Sequence, residues 1–258
     1  MISTHTGSLG TFPGRDGLEL AYRSIGTGRP IVLLHGFTGS GQQFLRHGLA
    51  AALAGHGYRV IVPDLRGHGD SSRPHDPAAY PPDVLADDGL ALIDHLQLRD
   101  YDLGGYSLGG RIVLRMLARG ARPAHAIIGG QGLDALGGPT NRTGGYRRTL
   151  TAIVSGDRLE PGSPQALSAD WLAQSGADPR ALLHVLDTFV ETPDAALAEI
   201  TTPTLVVAGD QDERQAETLA AALPCARYVQ VPGNHFTALL SQELVAAILA
   251  FLAPAPQG

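Results

Sequence analysis

The strongest constraint on this chain is a set of short apolar runs that do not alternate with polar residues. They cover residues 30–34, 58–62, 101–106, 124–128, 203–208 and 226–231, and most are rich in Val and Ile. A strand with one wet face alternates, whereas a strand covered on both faces does not. Between the runs lie segments with helical spacing of apolar residues, at 82–98, 108–118, 213–223 and 237–252. Strand and helix in alternation predict a doubly wound α/β fold with a mostly parallel sheet. Right-handed crossovers then place helices on both faces of that sheet. Residues 18–25 alternate better and predict an antiparallel edge strand.

The alternation stops once. Residues 134–195 contain no convincing strand, only helix-like pieces at 146–154, 164–174 and 179–190. A structureless loop of that length has little precedent in a compact domain, so the segment reads as a helical insertion. The expected organisation is one domain over 1–258, with a core of 1–133 and 196–258 and a helical cap of 134–195.

Composition narrows the function classes. Only 17% of the 258 residues are charged, the net charge is −6, and all 19 cationic side chains are Arg. There is no electrostatic footprint for nucleic acid. The single Cys, Cys225, excludes an internal disulfide framework and a cysteine-based zinc site. No apolar run reaches the roughly 18 residues of a membrane span. The first residues lack a basic segment followed by an apolar one. The expected location is therefore the cytoplasm, with a small molecule as the partner and no membrane.

The run ending at Tyr106 enters Gly105-Tyr106-Ser107-Leu108-Gly109 and then the apolar helix beginning near Leu108. This Gly-x-Ser-x-Gly stands where a strand must turn directly into a helix. Small flanking residues permit the turn, and the Ser oxygen is left exposed above the strand end. The helix N-terminus beneath it favours developing negative charge. Two further segments follow strands in the same way: His35-Gly36-Phe37-Thr38 and Asp64-Leu65-Arg66-Gly67-His68-Gly69-Asp70-Ser71. In letters, order and spacing these three segments resemble the α/β-hydrolase superfamily, and the resemblance runs over nearly the whole chain.

The resemblance implies an α/β-hydrolase fold and a Ser–His–Asp triad, with neither metal nor organic cofactor. Ser107 takes the place of the nucleophile. His235, in Val231-Pro232-Gly233-Asn234-His235, takes that of the base, although Asn234 intervenes where the family commonly has Gly directly before His. The family's Gly-x-x-Asp pattern picks Asp212 in Gly209-Asp210-Gln211-Asp212 as the acid. Asp210 and Asp134 preserve the same chain order, and both stay open for that role. The backbone N–H groups of Phe37 and Leu108 would form the oxyanion hole. Asp64, Arg66 and Ser71 would brace the site. Tyr106, Arg111, Trp171 and Phe236 are candidates to contact substrate.

These roles imply a serine hydrolase that cleaves carboxylic esters, or related activated carbonyl compounds, through an acyl-enzyme. Ser107-Leu108-Gly109-Gly110-Arg111 also resembles the menaquinone-pathway synthases, which eliminate pyruvate and use an Arg near a carboxylated substrate. The same residues are compatible with a carbon–carbon bond hydrolase, and with a non-catalytic ligand-binding protein on this fold.

Overall fold

The computed structural model describes residues 7–137 and 144–253. Its centre is one eight-stranded sheet. The strands are β1 (Ser8–Pro13), β2 (Glu19–Ile25), β3 (Arg29–Leu34), β4 (Tyr58–Pro63), β5 (Asp102–Tyr106), β6 (Ala126–Gly129), β7 (Thr204–Gly209) and β8 (Ala226–Val231). Their spatial order is β1-β2-β4-β3-β5-β6-β7-β8. Strands β3 to β8 run parallel; β2 runs antiparallel to them, and β1, antiparallel to β2, returns in their direction.

Successive residues on the central strands enter two different cores, which explains why their runs do not alternate. Ile31, Leu33, Val60, Val62, Leu205 and Val207 pack with α1 (Gln42–Arg46), α2 (Leu49–Gly55) and α10 (Gln242–Leu252) through Phe44, Leu49, Leu53, Leu244 and Ile248. Val32, Leu34, Ile61, Leu103, Ile128 and Val206 face the opposite way. They meet α3 (Val84–His95), α4 (Leu108–Ala118) and α9 (Ala216–Ala221) through Val84, Leu92, Val113 and Leu219. At roughly 1.5–3 kcal/mol per fully buried aliphatic side chain, either core outweighs any single polar contact described below.

Two features depart from the sequence reading. The strand expected at the edge, β2, lies one place inside it, because β1 pairs along its whole length. Gly10 and Pro13 mask β1 in the sequence. The long C-terminal helix is shorter than expected. A 3-10 turn at Ala238–Leu240 precedes Ser241, whose hydroxyl accepts the Leu244 N–H at 3.0 Å and caps α10.

Between β6 and β7 the described residues contain helices and no strand: α5 (Gly144–Ser155), α6 (Pro164–Ser175), α7 (Pro179–Asp187) and α8 (Asp194–Ala198). Helices α6 and α7 each open on Pro, with Ser163 and Asp178 as caps. Leu150, Leu172, Leu182, Val185 and Leu186 are buried in the same core as α3 and α4. The helical insertion therefore sits on the body of the fold through continuous apolar packing.

Candidate active site

Ser107 stands at the carboxyl end of β5, at the middle of the sheet. Its backbone lies at φ 56°, ψ −115°, a strained region costing about 1–3 kcal/mol for a residue with a side chain. The strain persists because the surroundings leave the chain no other path. Ser107 N–H donates to Gly129 O at 2.8 Å, and α4 begins at the next residue. A Cβ on Gly105 would lie 2.2 Å from the carbonyl carbon of Gly109, and one on Gly109 would lie 1.9 Å from Leu34 O. Both glycines are thus required by close backbone approach.

Ser107 Oγ is 3.0 Å from His235 Nε2, across 128 residues of sequence. His235 Nδ1 is 2.8 Å from Asp212 Oδ2. The histidine sits on the turn after β8. Asn234, the residue that departs from the family pattern, builds that turn: its Oδ1 accepts the N–H groups of Phe236 and Thr237 at 2.9 and 3.0 Å. Asp212 lies in the turn after β7. Burial raises its pKa, but the His235 hydrogen bond and the Arg214 charge outweigh this and hold it below the ordinary value. An ionised Asp212 can orient the imidazole and stabilise it when charged.

The two remaining candidate carboxylates have structural partners. Asp210 Oδ1 accepts Gly233 N–H at 2.8 Å and ties the turn after β7 to the turn carrying His235. Asp134 Oδ1 accepts Gln215 N–H at 3.1 Å.

The turn after β3 flanks Ser107: a Cβ on Gly36 would lie 3.5 Å from the Ser107 Cβ. Leu108 N–H is the first of α4 and lacks a partner within the helix by geometry. The Phe37 peptide is held by His68, whose Nε2 is 2.6 Å from Phe37 O. His35 is wholly buried, with Nδ1 2.8 Å from Gly36 O while Nε2 accepts Leu65 N–H at 3.0 Å. Burial is the main cause that lowers its pKa to about 3, with the neighbouring His68 adding to the shift. The imidazole is therefore neutral.

The segment after β4 supports this turn from behind. Asp64 accepts Gly41 N–H at 2.7 Å and Asp70 N–H at 2.8 Å, and Ser71 Oγ donates to Asp64 O. The fully buried Arg66 donates to both oxygens of Asp88 at 2.9 Å and both of Asp16 at 2.7 Å.

The expected substrate contacts fall in different places. Tyr106 is buried, and its hydroxyl donates to His235 O at 2.8 Å, so it supports the histidine turn from below. Phe236 is 67% exposed, with its ring 5.3 Å from that of His235. Trp171 is 48% exposed on α6. Arg111 is buried and donates to Ala135 O and Gly137 O at 2.6 Å and to Val190 O at 2.8 Å. Its guanidinium also stacks 4.8 Å over the Phe189 ring. This corrects the expectation of an Arg offered to substrate: the cation faces the backbone at both ends of the helical insertion. Lacking a carboxylate, it is left by burial with a pKa lowered to about 10.

Two site residues carry no motif in the sequence. Tyr146, on α5, places its ring 5.1 Å from Phe37. Arg214 Nη1 lies 3.1 Å from Asp212 Oδ1 and 2.5 Å from His235 Nδ1. Its distance of two residues from Asp212 is the only signal the letters offer for Arg214. Among the described residues, no group of three His, Cys, Asp or Glu side chains is arranged to hold a metal. No helix among them is long and apolar enough to cross a membrane.

Strand order, elbow and site define the class, and comparison with known proteins agrees. Residues 29–129 match the family model described as alpha/beta hydrolase fold. A non-heme haloperoxidase from Rhodococcus erythropolis is 31% identical, over 92% of this chain and 97% of its own. Among solved structures, a bromoperoxidase from Bacillus anthracis superposes with a TM-score of 0.75 at 26% identity, covering 95% of this chain and 99% of that one. A thermophilic esterase from Thermogutta terrifontis superposes with a TM-score of 0.75 at 25% identity, covering 95% and 98%. The chain belongs to the α/β-hydrolase family.

Proposed function

We propose that this chain is a serine hydrolase that cleaves carboxylic esters or related activated carbonyl compounds. The supporting observation is the continuous line from Ser107 Oγ through His235 to Asp212, at 3.0 and 2.8 Å. In this reading His235 Nε2 takes the Ser107 proton as the oxygen attacks the carbonyl. The oxyanion is received by the N–H groups of Phe37 and Leu108, each such donor being worth about 3 kcal/mol of barrier. His235 returns the proton to the leaving alcohol, and an acyl-enzyme remains. Water then gives a proton to His235 as it attacks the acyl carbonyl; collapse of the second intermediate releases the acid, and His235 returns the proton to Ser107 Oγ. The helices between β6 and β7 act as a cap that shapes acyl preference, since fold alone does not choose a substrate.

The pyruvate-eliminating reading depends on Arg111, and the three carbonyls around that guanidinium weaken it. The haloperoxidase relative adds one arm to the assay. Hydrogen peroxide in place of water would leave the same acyl-enzyme as a peracid.

The test is a panel of p-nitrophenyl esters of increasing acyl length, with Ser107→Ala as blank, alongside labelling by a fluorophosphonate. Turnover by the wild type and labelling confined to Ser107 are expected. Equal rates for both proteins across the panel would sink the reading.

A further inference from the structure

A groove of about 730 Å³ lies on the joint between the helical insertion and the body. That volume is within the ~300–1,000 Å³ of small-molecule sites. Three segments wall it: the chain after β4 at Arg73 and His75, the end of α5 at Ile153 and Val154, and the turn from α6 into α7 at 177–180. None of these residues belongs to the triad or to the turns that support it. The walls are bonded to each other. Arg73 Nη1 donates to Gly176 O at 3.0 Å, and His75 Nε2 donates to Asp178 Oδ2 at 2.8 Å. His184 Nε2, on α7, donates to His75 O at 3.1 Å.

The charges in the groove do not balance. Asp178 is the one carboxylate among the lining residues, and both of its oxygens are in use. Oδ2 takes His75, while Oδ1 accepts the N–H groups of Arg180 and Ala181 at 3.0 and 3.2 Å as the cap of α7. The Arg73 guanidinium has the Gly176 carbonyl as its hydrogen-bond partner and no carboxylate among the described residues. The Arg180 guanidinium has no hydrogen bond or ion pair among them. Each therefore keeps a planar set of donors suited to a carboxylate or phosphate. A single surface Arg is ordinarily just solvated. Here two of them, one from each half of the molecule, share a concavity with the half-buried Ile153, Val154 and Pro179. An inorganic ion would leave that apolar wall wet, whereas the body of an organic anion would cover it.

We propose that this groove binds a small organic anion, a carboxylate or phosphate on an apolar body, between Arg73 of the body and Arg180 of the insertion, and that the bound anion ties the two halves together. The inference stands apart from the triad and does not depend on its chemistry.

The full-length chain, labelled in nitrogen-15, is titrated with 2-naphthoate and with 2-naphthyl phosphate at constant ionic strength. Amide shifts are expected at Arg73, His75, Ala177 and Arg180, and the tighter of the two probes identifies the preferred head group. Naphthalene-2-methanol, which lacks the charge, and inorganic phosphate, which lacks the body, should each bind roughly tenfold more weakly or worse. The double variant Arg73→Gln/Arg180→Gln should lose roughly tenfold or more in affinity for the aromatic anions. Arg180→Glu reverses one exposed charge, leaves the Arg73 contact in place, and serves if the double variant does not fold. Proteolytic nicking of the insertion should slow when either aromatic anion is bound. Shifts confined to the turns carrying Ser107 and His235 would overturn the inference, as would equal affinity for the neutral alcohol or for inorganic phosphate, or unchanged affinity in the variants. Binding in the groove without slower nicking would overturn the tie between the halves.

Discussion

The carboxyl edge of the sheet and the helical insertion above it are held by different kinds of contact. At the sheet edge each site residue is fixed by backbone geometry or by charged hydrogen bonds. Ser107 is locked by strain and close glycine contacts, and the loop behind it by Arg66 between Asp16 and Asp88. The insertion is held mainly by apolar packing, by the buried Arg111, whose side-chain hydrogen bonds all go to backbone carbonyls, and by more exposed contacts such as His75 with Asp178 and Arg115 with Glu191 O. Burial alone would lower the pKa of Arg66, but its two carboxylates raise it above the ordinary value. Arg111, without such partners, is lowered to about 10. The difference teaches that the carboxyl edge of the sheet is fixed by charged and backbone contacts, while the helical insertion is joined to it mostly by apolar packing.

The largest expected effect breaks the tightly held half. Asp212→Asn should lower kcat/KM by about 10⁴-fold, because the amide no longer selects or stabilises the working imidazole. Asp134→Asn and Asp210→Asn should each cost less than about tenfold, a contrast that ester kinetics on the three variants measures. Comparable losses in all three would remove the special standing of Asp212.

The next effect breaks the joint between the halves. Arg111→Met leaves several buried carbonyls without their donor, and should cost about 2–4 kcal/mol in urea unfolding. Proteolytic nicking should concentrate in the helical insertion. Uniform destabilisation without local nicking would argue against Arg111 as the tie between the two halves.

A smaller effect is pH-dependent and belongs to the core edge. His35 stays neutral when folded, with a pKa lowered to about 3, whereas the unfolded chain takes up a proton near pH 6.5. The stabilisation is therefore fully present above pH 6.5 and is lost progressively as pH falls toward 3. At pH 5 the loss from this group is about 2 kcal/mol. His35→Asn should flatten the dependence of unfolding free energy on pH over that window, and an unchanged slope would refute the assignment. The smallest effect is at the insertion's surface. Trp171→Ala, at a residue 48% exposed, should move stability by no more than about 0.5 kcal/mol. Its effect on acyl-chain preference would show whether that side chain meets substrate.

What could be read from the letters follows the same division. Ser107 and His235 lie in turns whose local pattern could be singled out without the fold, whereas the letters leave the acid open among Asp212, Asp210 and Asp134, and it is Asp212 whose Oδ2 lies 2.8 Å from His235 Nδ1. The central strands were legible because both faces are apolar. The hairpin strand β1 was not, since its exposed face and its Gly10 and Pro13 break the pattern. Arg111 has an apparent meaning four residues after Ser107, yet its partners come from residues 135–137 and 190, which only packing brings near. Arg214 and Tyr146 are of the same kind. Their significance comes from neighbours on other elements, and no local spacing announces it.

The placement of the three central side chains has a consequence for synthesis. Ser107 follows β5, whereas Asp212 and His235 follow β7 and β8, the last two strands among the described residues. On a ribosome the elbow can form well over a hundred residues before the histidine emerges. A nascent chain would thus carry an assembled but idle serine. On the proposed mechanism, reactivity would arrive only when the segment carrying His235 docks.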